Sequence, residues 1–191
     1  MCKEALTPAC IKALYNITDG TLSDPSNRLG IYEADEQKYS QEDLDQFYAT
    51  YAPSIPKGTG PKVDSIDGGT APAPASGAGG EADLDFQIPI PIIYPQGTEL
   101  YQTVVQNNDI FNTFLDAVDG SYCTFSAYGE TGDDPEIDGV TENEQCGTFT
   151  PANVISFSYG TAEADYPAYY LQVCKLGYFN EPALCFAIPL I

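Results

Sequence analysis

Apolar and polar positions follow two rhythms along this chain. Four short runs have strand character: "RLGIYEA" (28–34), "PKVDSIDG" (61–68), "GTELYQTVVQ" (97–106) and "NVISFSYG" (153–160). Between them, apolar residues recur at helical spacing. In "TPACIKALYNI" (7–17), Pro8 suits a first turn, and Ile11, Leu14 and Tyr15 share one face. In "SQEDLDQFYATYAP" (40–53), Ser40 supplies a cap and acids fill the first turn. Leu44, Phe47, Tyr48 and Tyr51 form the stripe there, and Pro53 stops it. In "NDIFNTFLDAVDG" (108–120), Asn108 or Asp109 caps and Ile110, Phe111, Phe114, Leu115 and Val118 make the stripe; Gly120 ends it. A last helix is predicted after Pro167 in "EADYPAYYLQVCKLG" (163–177). Strands alternating with helices predict an α/β fold with a mainly parallel sheet. No internal repeat is present, and no apolar run reaches membrane-spanning length.

A Gly/Pro/Ala/Ser loop, "GGTAPAPASGAGG" (68–80), runs into the acidic stretch "GEADLDFQ" (80–87). Gly80 is the expected N-cap of a helix, with Glu81, Asp83 and Asp85 in its first turns, where the helix dipole favours acids. Spacing alone leaves these three as ordinary solvated acids. A second reading follows from geometry: residues four apart share a helix face, so Glu81 and Asp85 meet while Asp83 points elsewhere. Two neighbouring carboxylates do not both ionise cheaply, so the pair holds a proton with one raised apparent pKa. Such a pair is a general base able to work in acid.

Composition sharpens this second reading. The 191 residues carry 28 Asp and Glu against 7 Lys and Arg, a net charge of −21, with 43% hydrophobic and 12% aromatic residues. That length and apolar content suffice for the core of one domain, and acidic disorder is disfavoured. The charge excludes nucleic acid and anionic membrane surfaces as partners, and its self-repulsion relaxes in acid. There is no His, so a Ser-His-Asp or Cys-His unit does not exist here and proton transfer falls to carboxylates, Tyr or Lys. Six Cys occur without any C-x-x-C; the spacings of Cys2/Cys10 and Cys123/Cys146 suit local disulfides. With the sequon Asn16-Ile17-Thr18, this predicts an extracellular, secreted protein whose N-terminus is a mature or trimmed end. The loop "DDPEIDGVTENEQ" (133–145) places Asp134, Glu136, Asp138 and Gly139 near calcium-loop positions, but Gln145 stands where the closing Glu belongs, so a solvated loop is expected.

The blocks "TPACIKALYNI", "NRLGIYEADEQKYSQEDLDQFYATYAPSIPKGT", "IDGGTAPAPASGAGGEADLDFQ" and "NVISFSYG", in that order, resemble the sedolisins, serine-carboxyl peptidases of subtilisin-like fold, and in particular their fungal secreted branch. The resemblance covers residues 2 to about 177, the front part of a family catalytic domain, and leaves 178–191 as a divergent tail. It implies a subtilisin-like parallel sheet with flanking helices, incomplete at the C-terminus. It also implies acid-range proteolysis of peptide or protein substrates, as endopeptidase or tripeptidyl-peptidase, by a monomer. By the same resemblance Glu81 is the general base for a nucleophilic Ser, Asp85 its orienting partner, and "NVISFSYG" the cleft strand, with Ser156, Ser158 and Gly160 as wall residues. The family's nucleophile lies in a G-T-S segment and its oxyanion Asp in an S-G-D segment; neither occurs among these residues. The family's calcium site lies further on still, so no cofactor is expected in this chain. The expected origin of the tail is a truncation, a misread intron or a frameshift. The isolated chain is therefore expected to be inactive. The competing expectations are a non-catalytic secreted peptide-binding protein and a gene product without function.

Overall fold

The computed structural model describes residues 2–3, 5–34, 37–104, 111–123, 126–127, 130–131 and 145–160. In chain order the elements are α1 (Pro8–Tyr15), β1 (Leu29–Ala34), α2 (Gln41–Tyr51), β2 (Lys62–Ile66), a 3-10 turn (Ala75–Gly77), α3 (Gly80–Gln87), α4 (Pro89–Ile93), β3 (Thr98–Thr103), α5 (Asn112–Val118), β4 (Ser126–Ala127), β5 (Glu130–Thr131) and β6 (Val154–Phe157). Four strands form a parallel sheet in the order β2-β3-β1-β6, while β4 and β5 pair separately as an antiparallel ribbon. The chain is thus α/β, and all four predicted strands are present.

Side-chain alternation along the central strands builds two cores. On one face Ile31 of β1 and Leu100 of β3 pack with Leu44, Tyr48, Ala82, Phe86 and Ile90 from α2, α3 and α4. On the other, Tyr32 and Tyr101 pack with Phe114, Leu115 and Val118 of α5. Strands buried on both faces are the mark of a sheet covered by helices on each side. The aromatic face is ordered by ring geometry: Tyr32 stacks on Phe157 of β6 at 4.4 Å, and Phe114 meets both edge-on at 5.6 and 5.0 Å. Gly30 permits this closeness, since a Cβ there would stand 2.8 Å from the Tyr101 ring. The Tyr101 hydroxyl then donates to Glu99 Oε1 at 2.5 Å and accepts from the Ala152 N–H at 2.8 Å, tying β3 to the approach of β6.

The helices start where their caps dictate. The Thr7 side chain accepts from Cys10 N–H and Pro8 opens α1; Ser40 Oγ accepts from Asp43 N–H at 3.2 Å and opens α2. The Tyr48 hydroxyl donates to Phe86 O at 3.1 Å, joining α2 to α3. Disulfides join Cys2 to Cys10 and Cys123 to Cys146, with Cα separations of 5.6 and 6.0 Å.

Several expectations are corrected. Gly79, not Gly80, is the N-cap of α3; Gly80 is its first residue. In α1 the buried positions are Pro8 and Cys10, whereas Leu14 and Tyr15 face solvent. Helix α1 contacts α4, and its buried Cys10 is the residue bonded to Cys2. Helix α5 begins at Asn112, four residues after the first expected cap. Helix α4 has no counterpart among the elements predicted above, and it contains Pro89 and Pro91. Both fall in its first turn, where the backbone N–H has no helical partner to lose. The helix over 163–177, the tail 178–191, Cys174, Cys185 and the acidic residues 132–144 lie outside the described residues.

Candidate active site

Three pieces of chain converge at the carboxyl end of β1, the end at which open parallel sheets characteristically build their sites. They are the strand end with Glu33, the first turns of α3, and the residues just after β6. The segment 37–40 latches the second piece in place. Glu81 N–H donates to Gln37 Oε1 at 3.2 Å, Gly79 N–H to Lys38 O at 2.9 Å, and Asp83 Oδ1 accepts from Ser40 N–H at 2.8 Å. Gly79 brings no side-chain cap of its own, so Gln37 supplies the acceptor from outside the helix. A Cβ on Gly79 would run into Gln37, including its Cα at 2.7 Å. Asp83 is thereby committed to the backbone of the neighbouring helix cap, in keeping with its offset from Glu81 and Asp85.

Glu81 and Asp85 sit one helical turn apart, both half-buried. Among the described residues no hydrogen bond joins them; they interact through charge. Burial pushes the Asp85 carboxyl above its ordinary value, a hydrogen bond from Ser158 works against that, and the charge of Glu81 adds to the rise. The Ser158 hydroxyl donates to Asp85 Oδ2 at 2.7 Å. Behind this pair lies Glu33, 0% exposed. The Tyr159 hydroxyl donates to Glu33 Oε2 at 3.0 Å and accepts from the Ala34 N–H at 3.0 Å, while Glu33 Oε1 is buried without a hydrogen-bond partner. Burial and then the charge of Asp85 push the Glu33 carboxyl up to about 8, against the opposing hydrogen bond from Tyr159 and with a further rise from Glu81. Glu33 thus keeps its proton across the acid and neutral range. The Tyr159 phenol is raised in turn, by burial and then by the charge of Glu33.

The arrangement is a group of three interacting carboxyls, one neutral and two lining the surface, with the Ser158 hydroxyl seated on Asp85 and the Tyr159 hydroxyl on Glu33. Such a group can hold and hand over a proton without His. The other predicted wall residues lie nearby, Ser156 on β6 and Gly160 three residues past its end. Ser156 is exposed, paired in register with Ile31, and Gly160 is exposed with open space where a Cβ would stand. Along β6 and the two residues after it, Val154, Ser156 and Ser158 are exposed while Ile155, Phe157 and Tyr159 pack against the core. No group of three His, Cys, Asp or Glu among the described residues is arranged to hold a metal ion. Glu33, Tyr159 and Gln37 are not among the residues that sequence reasoning singles out. A signal for Glu33 exists: it is the one acid in the otherwise apolar run "LGIYEA".

No family model and no solved structure matches the chain. It is 49% identical over 184 residues to Aorsin of Aspergillus oryzae, covering 90% of this chain and 28% of that protein. It is 47% identical over 190 residues to Tripeptidyl-peptidase sed1 of Aspergillus fumigatus, covering 93% of this chain and 30% of that protein. The chain belongs to the sedolisin family. A third sedolisin, Tripeptidyl-peptidase SED1 of Arthroderma otae, is 35% identical over 195 residues, 28% of its length. The chain therefore spans less than a third of the curated sedolisins it matches.

Proposed function

We propose that this chain carries the base half of a secreted sedolisin-type serine-carboxyl peptidase. Glu81 is the general base, Asp85 is its partner one helical turn away and acts on it through charge, and Ser158 holds the Asp85 carboxylate through its 2.7 Å hydrogen bond. Glu33, protonated below about pH 8, stands behind the pair as a buried proton store. The outward row along β6 and the residues just after it, with Ser156, Ser158 and Gly160, forms a wall on which an extended peptide can pair its backbone. What carries the reading is one observation: two acids a helical turn apart at the carboxyl end of a parallel sheet, charge-coupled, with the strand-end Ser158 bonded to one of them.

No G-T-S or S-G-D segment occurs in the 191 residues, so neither the family's nucleophile nor its oxyanion donor is supplied here. Without them the covalent step and the stabilisation of its transition state are lost. The isolated chain is expected to bind an extended peptide and not to cleave it. Denatured protein incubated with the chain in acid, followed by mass spectrometry, tests this. Cleavage that disappears in Glu81→Gln overturns the prediction of inactivity. Failure to bind peptide overturns the assignment of β6 as the cleft wall.

A further inference from the structure

We propose that Asn16 is an N-glycosylation site whose glycan covers an apolar surface at the end of α1, an inference that rests on the secretion reading above. Asn16-Ile17-Thr18 is the only Asn-X-Ser/Thr triplet in the sequence. Asn16 caps α1 in the left-handed conformation, φ 54° and ψ 41°, which asparagine tolerates better than most residues. Its backbone N–H and that of Ile17 both bond Lys12 O, so the helix end is closed by the main chain alone. Among the described residues its carboxamide makes no hydrogen bond, and every residue from 13 to 27 is exposed. A substituent on Nδ2 displaces no hydrogen bond and leaves from an exposed stretch of chain.

The surroundings say what the substituent does. Of the eight large hydrophobic side chains exposed among the described residues, five lie in the first 22 residues: Leu6, Leu14, Tyr15, Ile17 and Leu22. Leu14, Tyr15 and Leu22 are 72, 71 and 85% exposed. Leu14, Tyr15, Ile17 and Leu22 all lie within six residues of Asn16 along the chain. Asn16 stands between Tyr15 and Ile17 in the chain, so a glycan on it is attached next to these exposed side chains. A bulky, hydrophilic glycan there shields the apolar groups while keeping the surface wet. In the transfer, Asn16 Nδ2 forms a bond to the anomeric carbon of a lipid-diphosphate-linked oligosaccharide. The bond from that carbon to the diphosphate breaks, the lipid diphosphate leaves with the electron pair, and one amide proton passes to a base.

The test is expression from the complete gene in a fungal secretory host, followed by peptide mass mapping of the product before and after amidase release of N-glycans. The expected result is a glycan on Asn16, lost in Asn16→Gln and also in Thr18→Ala, which leaves the helix cap intact. Enzymatic release of the glycan should raise the binding of an apolar fluorescent dye several-fold. A secreted protein with bare Asn16 overturns the inference and leaves the secretion reading standing. A product retained in the cytosol overturns both. A glycan on Asn16 whose removal leaves dye binding unchanged overturns the covering role.

Discussion

Replacing Glu33 by Gln isolates the buried proton. Gln has the same shape, keeps an oxygen for the Tyr159 hydroxyl, and never ionises. In the folded protein the Glu33 carboxyl is pushed up to about 8 from an ordinary 4.5. Between those values the unfolded chain has released a proton that the folded chain still holds, so stability falls as pH rises. The full contribution is present below pH 4.5 and is gone by about pH 8. Across this window each step of one in pH lowers stability by about 1.4 kcal/mol, so from pH 4.5 to about pH 7 this group alone destabilises the wild type by about 3 kcal/mol. Urea unfolding of both proteins at several pH values measures it. The stability of Glu33→Gln minus that of wild type should rise by about 3 kcal/mol over this range, or roughly 6–12 °C in Tm for a domain of this size. Repulsion among the other acids also grows with pH, but it is common to both proteins and cancels in the difference. Parallel stability curves would refute the argument, because they would mean that Glu33 ionises freely in the fold.

Other substitutions separate the latch from the acids. Gly79→Ala forces a Cβ against Gln37 and should cost about 1–3 kcal/mol, whereas Gly80→Ala enters open space inside a helix and should be neutral or stabilising by up to about 1 kcal/mol; thermal unfolding of the two compares them. Asp83→Ala removes the acceptor for Ser40 N–H and should cost about 1–2 kcal/mol, while Asp83→Asn keeps an acceptor and should recover most of that in the same assay. Ser158→Ala removes the hydrogen bond that holds the Asp85 carboxyl down, so carboxyl NMR titration should place Asp85 higher than in wild type. By the same logic Tyr159→Phe should raise Glu33 further, and an unchanged Glu33 titration would disprove the contact.

Whether a residue's role is legible in the sequence depends on whether that role is local. The strands and α2 follow from periodicity and a Ser cap, since those signals act within a few residues. Asp83 is separable from Glu81 and Asp85 because helix geometry alone sets which positions share a face. Gly79 displaces Gly80 as N-cap for a reason outside the helix, the approach of Gln37, and no local propensity encodes that. The apolar spacing in α1 promises a buried face at Leu14 and Tyr15, but the buried positions are Pro8 and Cys10 in the first turn, and the far end of the helix is exposed. Glu33 shows the general difficulty. As a single acid in a buried strand it is visible, but its partner Tyr159 lies 126 residues away, and only the pairing of β1 with β6 brings them together.

That long-range pairing also gives the acid excess a direction. With a net charge of −21, each proton taken up as the pH falls relieves repulsion across the surface. Over the same range Glu33 stays neutral, its interior site favouring the protonated form, and the Asp85 carboxyl, raised by burial, is drawn toward protonation. Surface and site therefore respond to acid with the same sign. Raising the pH toward 8 charges Glu33 behind Glu81 and Asp85, placing a third negative group against the pair and setting fold stability and the proposed base in opposition. Acid conditions remove that conflict, so the stability maximum and the working range of the carboxyl pair should coincide on the acid side of neutrality.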